Sequence, residues 1–507
     1  MKKVIIIFMA LLLTFPLTSC QKKKEKVEIV DDNYRNIYEI FVASFYDSDG
    51  DKKGDLNGVT KKLDYIEEMG YTGIWLMPIH RSPSYHKYDV VDYYSIDPDY
   101  GTIEDFEKLC EEAHKRDINI IIDLVVNHTS NLNSWFIKGL DAYKNGTISQ
   151  YLNWYNFSSE PQYGFAEKDG VYYEARFVDS MPDLNLDCRE VRDEIINIMK
   201  FWIDKGVDGF RLDAVTSYYT NDIEKNVEFL NWINKAAKAI KEDCYIVGEA
   251  WTSDVEIRKY YESGIDSFFL FSLSQGEGLL GQTVKNLKPI PQYKNALRNA
   301  VSIANGHIPA IFLDNHDTNR ITGSMGRTKT EDTKFVYGIA AMLNGTMYTY
   351  YGTEIGMVGS RKDENKRIAM LWDSDKMNDL CKNPEGTTQE EYAYPGVKQQ
   401  QKDENSLLNY HKQVNYLRNK YPEIARGEYE IANKLTTATL IAIEKTWQDK
   451  TICIVINFDK ENTATVDLSE LRDYSNCEYV SAVNGKAELK DKTLTIPAYT
   501  IAILSQQ

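Results

Sequence analysis

From Asn36 onward the chain alternates short, unbroken apolar runs with stretches of helical period. "NIYEIFV" (36–42) and "GIWLMP" (73–78) read as strands. Between them, "GVTKKLDYIEEMG" (58–70) places Val59, Leu63, Ile66 and Met69 on one helical face. "IEDFEKLCEEAHKRD" (103–117) is amphipathic through Phe106, Leu109, Cys110 and Ala113. "INIIIDLVV" (118–126) has the continuous apolar character of a strand buried on both faces. Further strands are expected at 207–212, 244–249, 265–270, 308–313 and 346–351. Eight strands, most of them followed by a helical stretch, predict an α/β protein built on a TIM (β/α)8 barrel.

Two segments break this pattern. Residues 128–187 are rich in Asn, Ser, Tyr and Gly and carry little helical period. A structureless loop of that length is uncommon, so an inserted domain after the third strand is expected. From residue 426 the segments become short and β-branched, as in "KTICIVINF" and "KTLTIPAYTIAIL", with polar turns between them. They predict a terminal all-β sandwich. The expected barrel therefore spans 33–127 and 188–425, the insert 128–187 and the terminal domain 426–507.

The first residues read as an export signal rather than fold. Lys2 and Lys3 precede an apolar run that is too short for a comfortable membrane span. The ending Leu17-Thr18-Ser19-Cys20 resembles a bacterial lipobox. By that resemblance residues 1–20 are a lipoprotein signal, with Cys20 the acylated first residue of an extracytoplasmic, membrane-anchored chain. The alternative is a plain signal peptide. Residues 21–32 then form a charged tether.

Composition narrows the partners. The 507 residues exceed what a single core usually holds, and the net charge of −17 argues against nucleic acid. A soluble protein handling neutral or cationic ligands fits this balance, and a monomer is expected. The cysteines after Cys20 are scattered with no CxxC spacing, so they suggest neither a zinc site nor a dense disulfide framework.

Candidate chemistry follows from the barrel. Side chains at the C-terminal ends of barrel strands meet on one face. Those ends carry Asp123 with Asn127 and His128, then Arg211 and Asp213, then Glu249, then Asn315, His316 and Asp317. Convergent carboxylates suit glycosidic-bond cleavage, which needs one acid to protonate the leaving oxygen and one carboxylate to meet an oxocarbenium-like carbon. A second cluster, "DSDGDKKGDLNG" (47–58), crowds Asp47, Asp49, Asp51 and Asp55 around two glycines. A calcium ion or a solvated acidic turn would account for it.

Taken in order, "DLVVNH" (123–128), "GFRLDAV" (209–215), "GEAW" (248–251) and "FLDNHD" (312–317) resemble the four sequence regions of the α-amylase family of glycoside hydrolases. "MPDLN" (181–185) resembles a fifth region, in members intermediate between oligo-1,6-glucosidases and neopullulanases. The resemblance implies Asp213 as nucleophile, Glu249 as general acid/base and Asp317 as the third carboxylate, which binds sugar hydroxyls. Arg211 would keep Asp213 ionised, His128 and His316 would bind hydroxyls, and Tyr88 would stack on the sugar. It also implies a Ca2+ site formed by Asp47, Asp49, Asp51, the Lys53 carbonyl and Asp55.

Two departures shape the specificity expected. Thr216 and Ser217 stand where many α-amylases carry Lys-His, which weakens the carry-over of a sugar contact and of a second calcium site near Asn127. Tyr85 stands three residues before Tyr88, where exo-acting oligo-1,6-glucosidases place an Asp that can hold a chain end. An open cleft and internal attack on α-1,4-glucans are therefore expected, with neopullulanase-like or glucan-transferring activity as the alternative. A non-catalytic starch-binding lipoprotein is a rival of another class, although such a protein is expected to lose a catalytic carboxylate.

Overall fold

A computed structural model describes residues 27–286, 288–389 and 391–506. The segment expected to be an export signal, with Cys20, lies outside the described residues.

The eight expected strands form one closed barrel, running in sequence order around the ring. They are Asn36–Ile40, Gly73–Leu76, Asn119–Leu124, Gly209–Leu212, Tyr245–Gly248, Ser267–Phe269, Ile308–Phe312 and Thr346–Tyr350. Every neighbouring pair is parallel. Each strand is buried on both faces, which explains why the sequence shows apolar runs here rather than alternation. Ile37, Trp75, Ile121, Tyr245, Val247, Phe269, Phe312 and Tyr348 belong to one buried cluster that fills the barrel interior.

The first helical stretch differs from expectation. It begins earlier and splits into Leu56–Lys61 and Leu63–Glu68. Asp55 caps the first piece, its Oδ1 accepting from the Gly58 N–H at 2.7 Å. The second amphipathic helix spans Ile103–His114 and carries a complete capping box at Thr102 and Asp105.

The segment after the third strand contains a helix that the sequence reading did not expect, Ser134–Asn145. Asn133 caps its start and Gly146, at φ +62°, ends it. Its buried face is Phe136, Gly139, Leu140 and Ala142, half of it small residues that give little apolar signal. A three-stranded antiparallel sheet follows, formed by Phe157–Ser158, Phe165–Lys168 and Val171–Glu174.

At the C-terminus a five-stranded and a three-stranded antiparallel sheet face each other across Leu440, Val455, Val466, Leu494 and Leu504. The opposite side chains of the larger sheet, including Ile441, Ile443 and Ile454, join the main core. Lys445 fastens this seam: its buried ammonium donates to the carbonyls of Met342 and Ile424 and to Asn344 Oδ1. Among the described residues the cysteines are free thiols, all buried except the half-buried Cys477.

Candidate active site

Strand periodicity builds the site. Inward side chains recur at every second residue. Tyr245 and Val247 fill the barrel, and the next inward position on that strand is Glu249. The same step leads from Ile37 to Glu39, from Ile121 to Asp123 and from Arg211 to Asp213. Asp123 lies directly opposite Arg211 in the register of the third and fourth strands.

Arg211 is the hub. Only 1% of its surface is exposed. One terminal nitrogen donates to Asp123 Oδ1, to Asp213 Oδ1 at 2.7 Å and to the Tyr88 hydroxyl at 3.3 Å. The other terminal nitrogen lies 3.0 Å from Glu249 Oε2. Glu249 Oε2 also accepts from the Ala214 N–H at 3.1 Å, while Trp75 Nε1 donates to Asp123 Oδ2 at 2.8 Å. Burial pushes the Glu249 carboxyl up to about 7, against the pull of Arg211 and with the push of Asp213. Burial likewise raises Asp123 to about 6.

The loop after the seventh strand supplies a second cluster. His316 is fully buried, with Nδ1 on Glu39 Oε1 at 2.5 Å and Nε2 on Asp317 Oδ2 at 2.8 Å. Burial alone would lower its imidazole; the Asp317 and Glu39 carboxylates outweigh this and raise it to about 10. Burial would raise Asp317, but His316 and Arg367 hold it below the usual carboxylate range. Arg367 grips Asp317 Oδ1 at 3.0 Å and donates to the Tyr85 hydroxyl at 3.3 Å. Tyr88 joins the two clusters: its hydroxyl lies 2.8 Å from His316 Nε2 and its ring stacks on that imidazole at 5.7 Å.

His128 is buried, yet its Nε2 has no hydrogen-bond partner among the described residues. Burial lowers its imidazole, so the ring is neutral near pH 7 and one nitrogen is left for a ligand hydroxyl. The bound surface of the insert reaches this point, since the His128 backbone bridges to Asp183 and Phe177 lies against its ring at 5.3 Å. The sequence reading thus named Tyr88, His128, Arg211, Asp213, Glu249, His316 and Asp317, and hydrogen bonds and ion pairs link six of these into one network.

It missed Glu39 and Arg367. Glu39 is the lone charge within an apolar strand, and Arg367 opens the apolar run "RIAMLW" after the eighth strand. Those isolated charges were the available signals.

The acidic loop departs from expectation. Carboxylate oxygens of Asp47, Asp49 and Asp55 lie within 4.8 Å of one another, but Asp51 stands outside that group. Asp51 Oδ1 accepts from the Lys53 N–H at 2.7 Å, and the Lys53 ammonium pairs with Asp99 at 2.6 Å. Gly50 and Lys52 both adopt positive φ, which lets the turn fold over its own carboxylates. Three convergent hard oxygen donors fit a calcium-sized cation.

A family model described as the α-amylase catalytic domain matches residues 39–427. Alpha-amylase 3 of Dictyoglomus thermophilum is 38% identical over 93% of both chains. An oligo-1,6-glucosidase of Heyndrickxia coagulans is 34% identical over 64% of this chain and 66% of its own. Among solved structures, Eubacterium rectale Amy13B superposes with a TM-score of 0.89 at 40% identity, covering 95% of this chain and 97% of that one. A barrel whose rim carries these carboxylates in this order, matched over most of its length by such relatives, is a glycosidase, and the chain belongs to the α-amylase family of glycoside hydrolases.

Proposed function

We propose that this glycosidase is a retaining α-amylase that cuts internal α-1,4 bonds of starch-like glucans. The observation that carries the proposal is that one guanidinium, Arg211, holds two carboxyls from adjacent strands, and that one of them, Glu249, is lifted to about 7. Asp213, paired with Arg211, attacks the anomeric carbon while Glu249 gives its proton to the departing glycosidic oxygen. A glycosyl–Asp213 ester forms and the shortened glucan leaves. Glu249, now ionised, takes a proton from water, whose oxygen attacks the same carbon and frees Asp213. Asp317, kept ionised between His316 and Arg367, accepts hydrogen bonds from sugar hydroxyls. The unpaired His128 Nε2 takes another hydroxyl, and Tyr88 packs on the sugar face.

Internal attack is favoured by Tyr85. It meets Arg367 with a neutral phenol, where a carboxylate would have added charge able to hold a chain end. The relatives keep a second reading open, because they include a glucan 1,6-alpha-glucosidase and a trehalose-6-phosphate hydrolase beside the α-amylase. Asp47, Asp49 and Asp55 would hold a calcium ion as a structural clamp on the first barrel loop, away from proton transfer.

Products formed from starch, maltotriose, pullulan and cyclodextrin separate these readings. Mixed maltooligosaccharides appearing early from starch, with pullulan attacked slowly, are expected. Release of glucose alone from chain ends, or pullulan as the better substrate, would overturn the assignment.

A further inference from the structure

Glu39 is a carboxyl that the two displacements do not use. It stands on the first barrel strand, level with Trp75 and Tyr350 on the neighbouring strands, and is 1% exposed. Its Oε1 lies 2.5 Å from His316 Nδ1. The other nitrogen of that ring, Nε2, lies 2.8 Å from both Asp317 Oδ2 and the Tyr88 hydroxyl. Arg367 holds the second Asp317 oxygen at 3.0 Å and donates through Nε to the His316 carbonyl at 3.4 Å. Trp75 meets the imidazole edge-on at 5.6 Å. The remaining charges that act on Glu39 or His316 are Arg211, Asp123 and Glu249 of the neighbouring strands.

The number of protons on the ring is set by these neighbours. A neutral imidazole has one N–H, yet both nitrogens of His316 stand at hydrogen-bond distance from a carboxylate oxygen. With one proton, one nitrogen would turn its lone pair on an anion. With two, each contact is a charge-assisted hydrogen bond. The Tyr88 hydroxyl then accepts from Arg211 and from His316, which leaves its own proton for another acceptor. Without the Glu39 charge, burial favours the neutral ring. A proton on Nδ1 alone would leave Nε2 accepting from Tyr88 and facing Asp317 with a lone pair.

We infer that Glu39 is a positioning residue that keeps His316 doubly protonated, so that Nε2–H holds Asp317 in the pose in which it binds sugar hydroxyls. The inference rests on the part given to Asp317 above. Glu39 acts through His316 and donates no proton to the substrate.

The test is 15N NMR of the full chain labelled on histidine, with the His316 signals identified by their loss in His316→Gln. In the unmutated chain both ring nitrogens should stay protonated from about pH 5 to about pH 8, whereas an ordinary histidine titrates in that range. In Glu39→Gln, which keeps the shape and removes the charge, the ring should lose a proton within it. On a chromogenic maltoside near neutral pH, Glu39→Gln should lower kcat/KM by about 10- to 100-fold, the reach of one charged hydrogen bond. A singly protonated His316 near neutral pH in the unmutated chain overturns the inference without any variant. So does a ring in Glu39→Gln that is as protonated as the original. Wild-type rates in Glu39→Gln, with Asp317→Asn inactive, overturn it too and spare the reading of Asp317. Wild-type rates in both variants overturn that reading as well.

Discussion

Glu249 and Asp213 share one partner, Arg211, and must nevertheless play opposite parts. A single guanidinium facing Asp123, Asp213 and Glu249 is outnumbered, so protons are retained within the set. Burial selects Glu249 and Asp123 as the groups lifted, to about 7 and about 6. The raised Glu249 is protonated below its pKa and loses the proton above it. Activity on starch should therefore fall as pH rises through about 7. Glu249→Gln should reduce starch cleavage by about 10²- to 10⁴-fold and erase that alkaline limb. It should spare the first step on substrates with good leaving groups, which depart without a proton. An unchanged alkaline limb in the variant would show that another group donates. The catalytic trio was legible in the sequence because Asp213 and Glu249 directly follow apolar strands and Asp317 stands in the short polar run after another. The supports were not. Glu39 and Arg367 become meaningful only when barrel closure and the eighth-strand loop bring them to His316 and Asp317.

At the scale of elements, barrel strands were read correctly because burial on both faces leaves an uninterrupted apolar run. The helix Ser134–Asn145 was hidden because Gly139 and Ala142 form part of its buried face. The acidic loop was visible, but its division of labour was not. Asp55 belongs to the carboxylate group and also caps the following helix, with both oxygens engaged by backbone N–H groups of Ser48 and Gly58. Asp51, expected as a ligand, accepts from a backbone N–H of its own turn, as Asp47 and Asp49 also do. A calcium ion bound only by the folded chain would add about 2.7 kcal/mol at a hundredfold excess over Kd. Chelation should lower the melting temperature, and calcium should restore it. Asp47→Asn with Asp49→Asn is the informative variant, because replacing Asp55 would also remove a helix cap worth about 1 kcal/mol. A wild-type chain indifferent to chelator, or a double variant with the full calcium response, would leave the loop as an acidic turn.

At the scale of the whole molecule, the barrel sets the chemistry and its attachments set the approach to it. The insert delivers Phe177 and Asp183 to His128. The terminal β domain joins the main core through Ile441, Ile443 and Ile454, with Lys445 bound to three acceptors at the seam. Sequence order and period identified these parts, whereas their contacts depended on long-range packing that no local pattern records. The central claim is that Asp213 and Glu249 act in two displacements on an α-glucan. The most direct measurement is NMR of the anomeric proton of the newly released reducing end, recorded before mutarotation. Two displacements return the α-anomer. A β-anomer as the first product would mean a single displacement by water and would contradict the account.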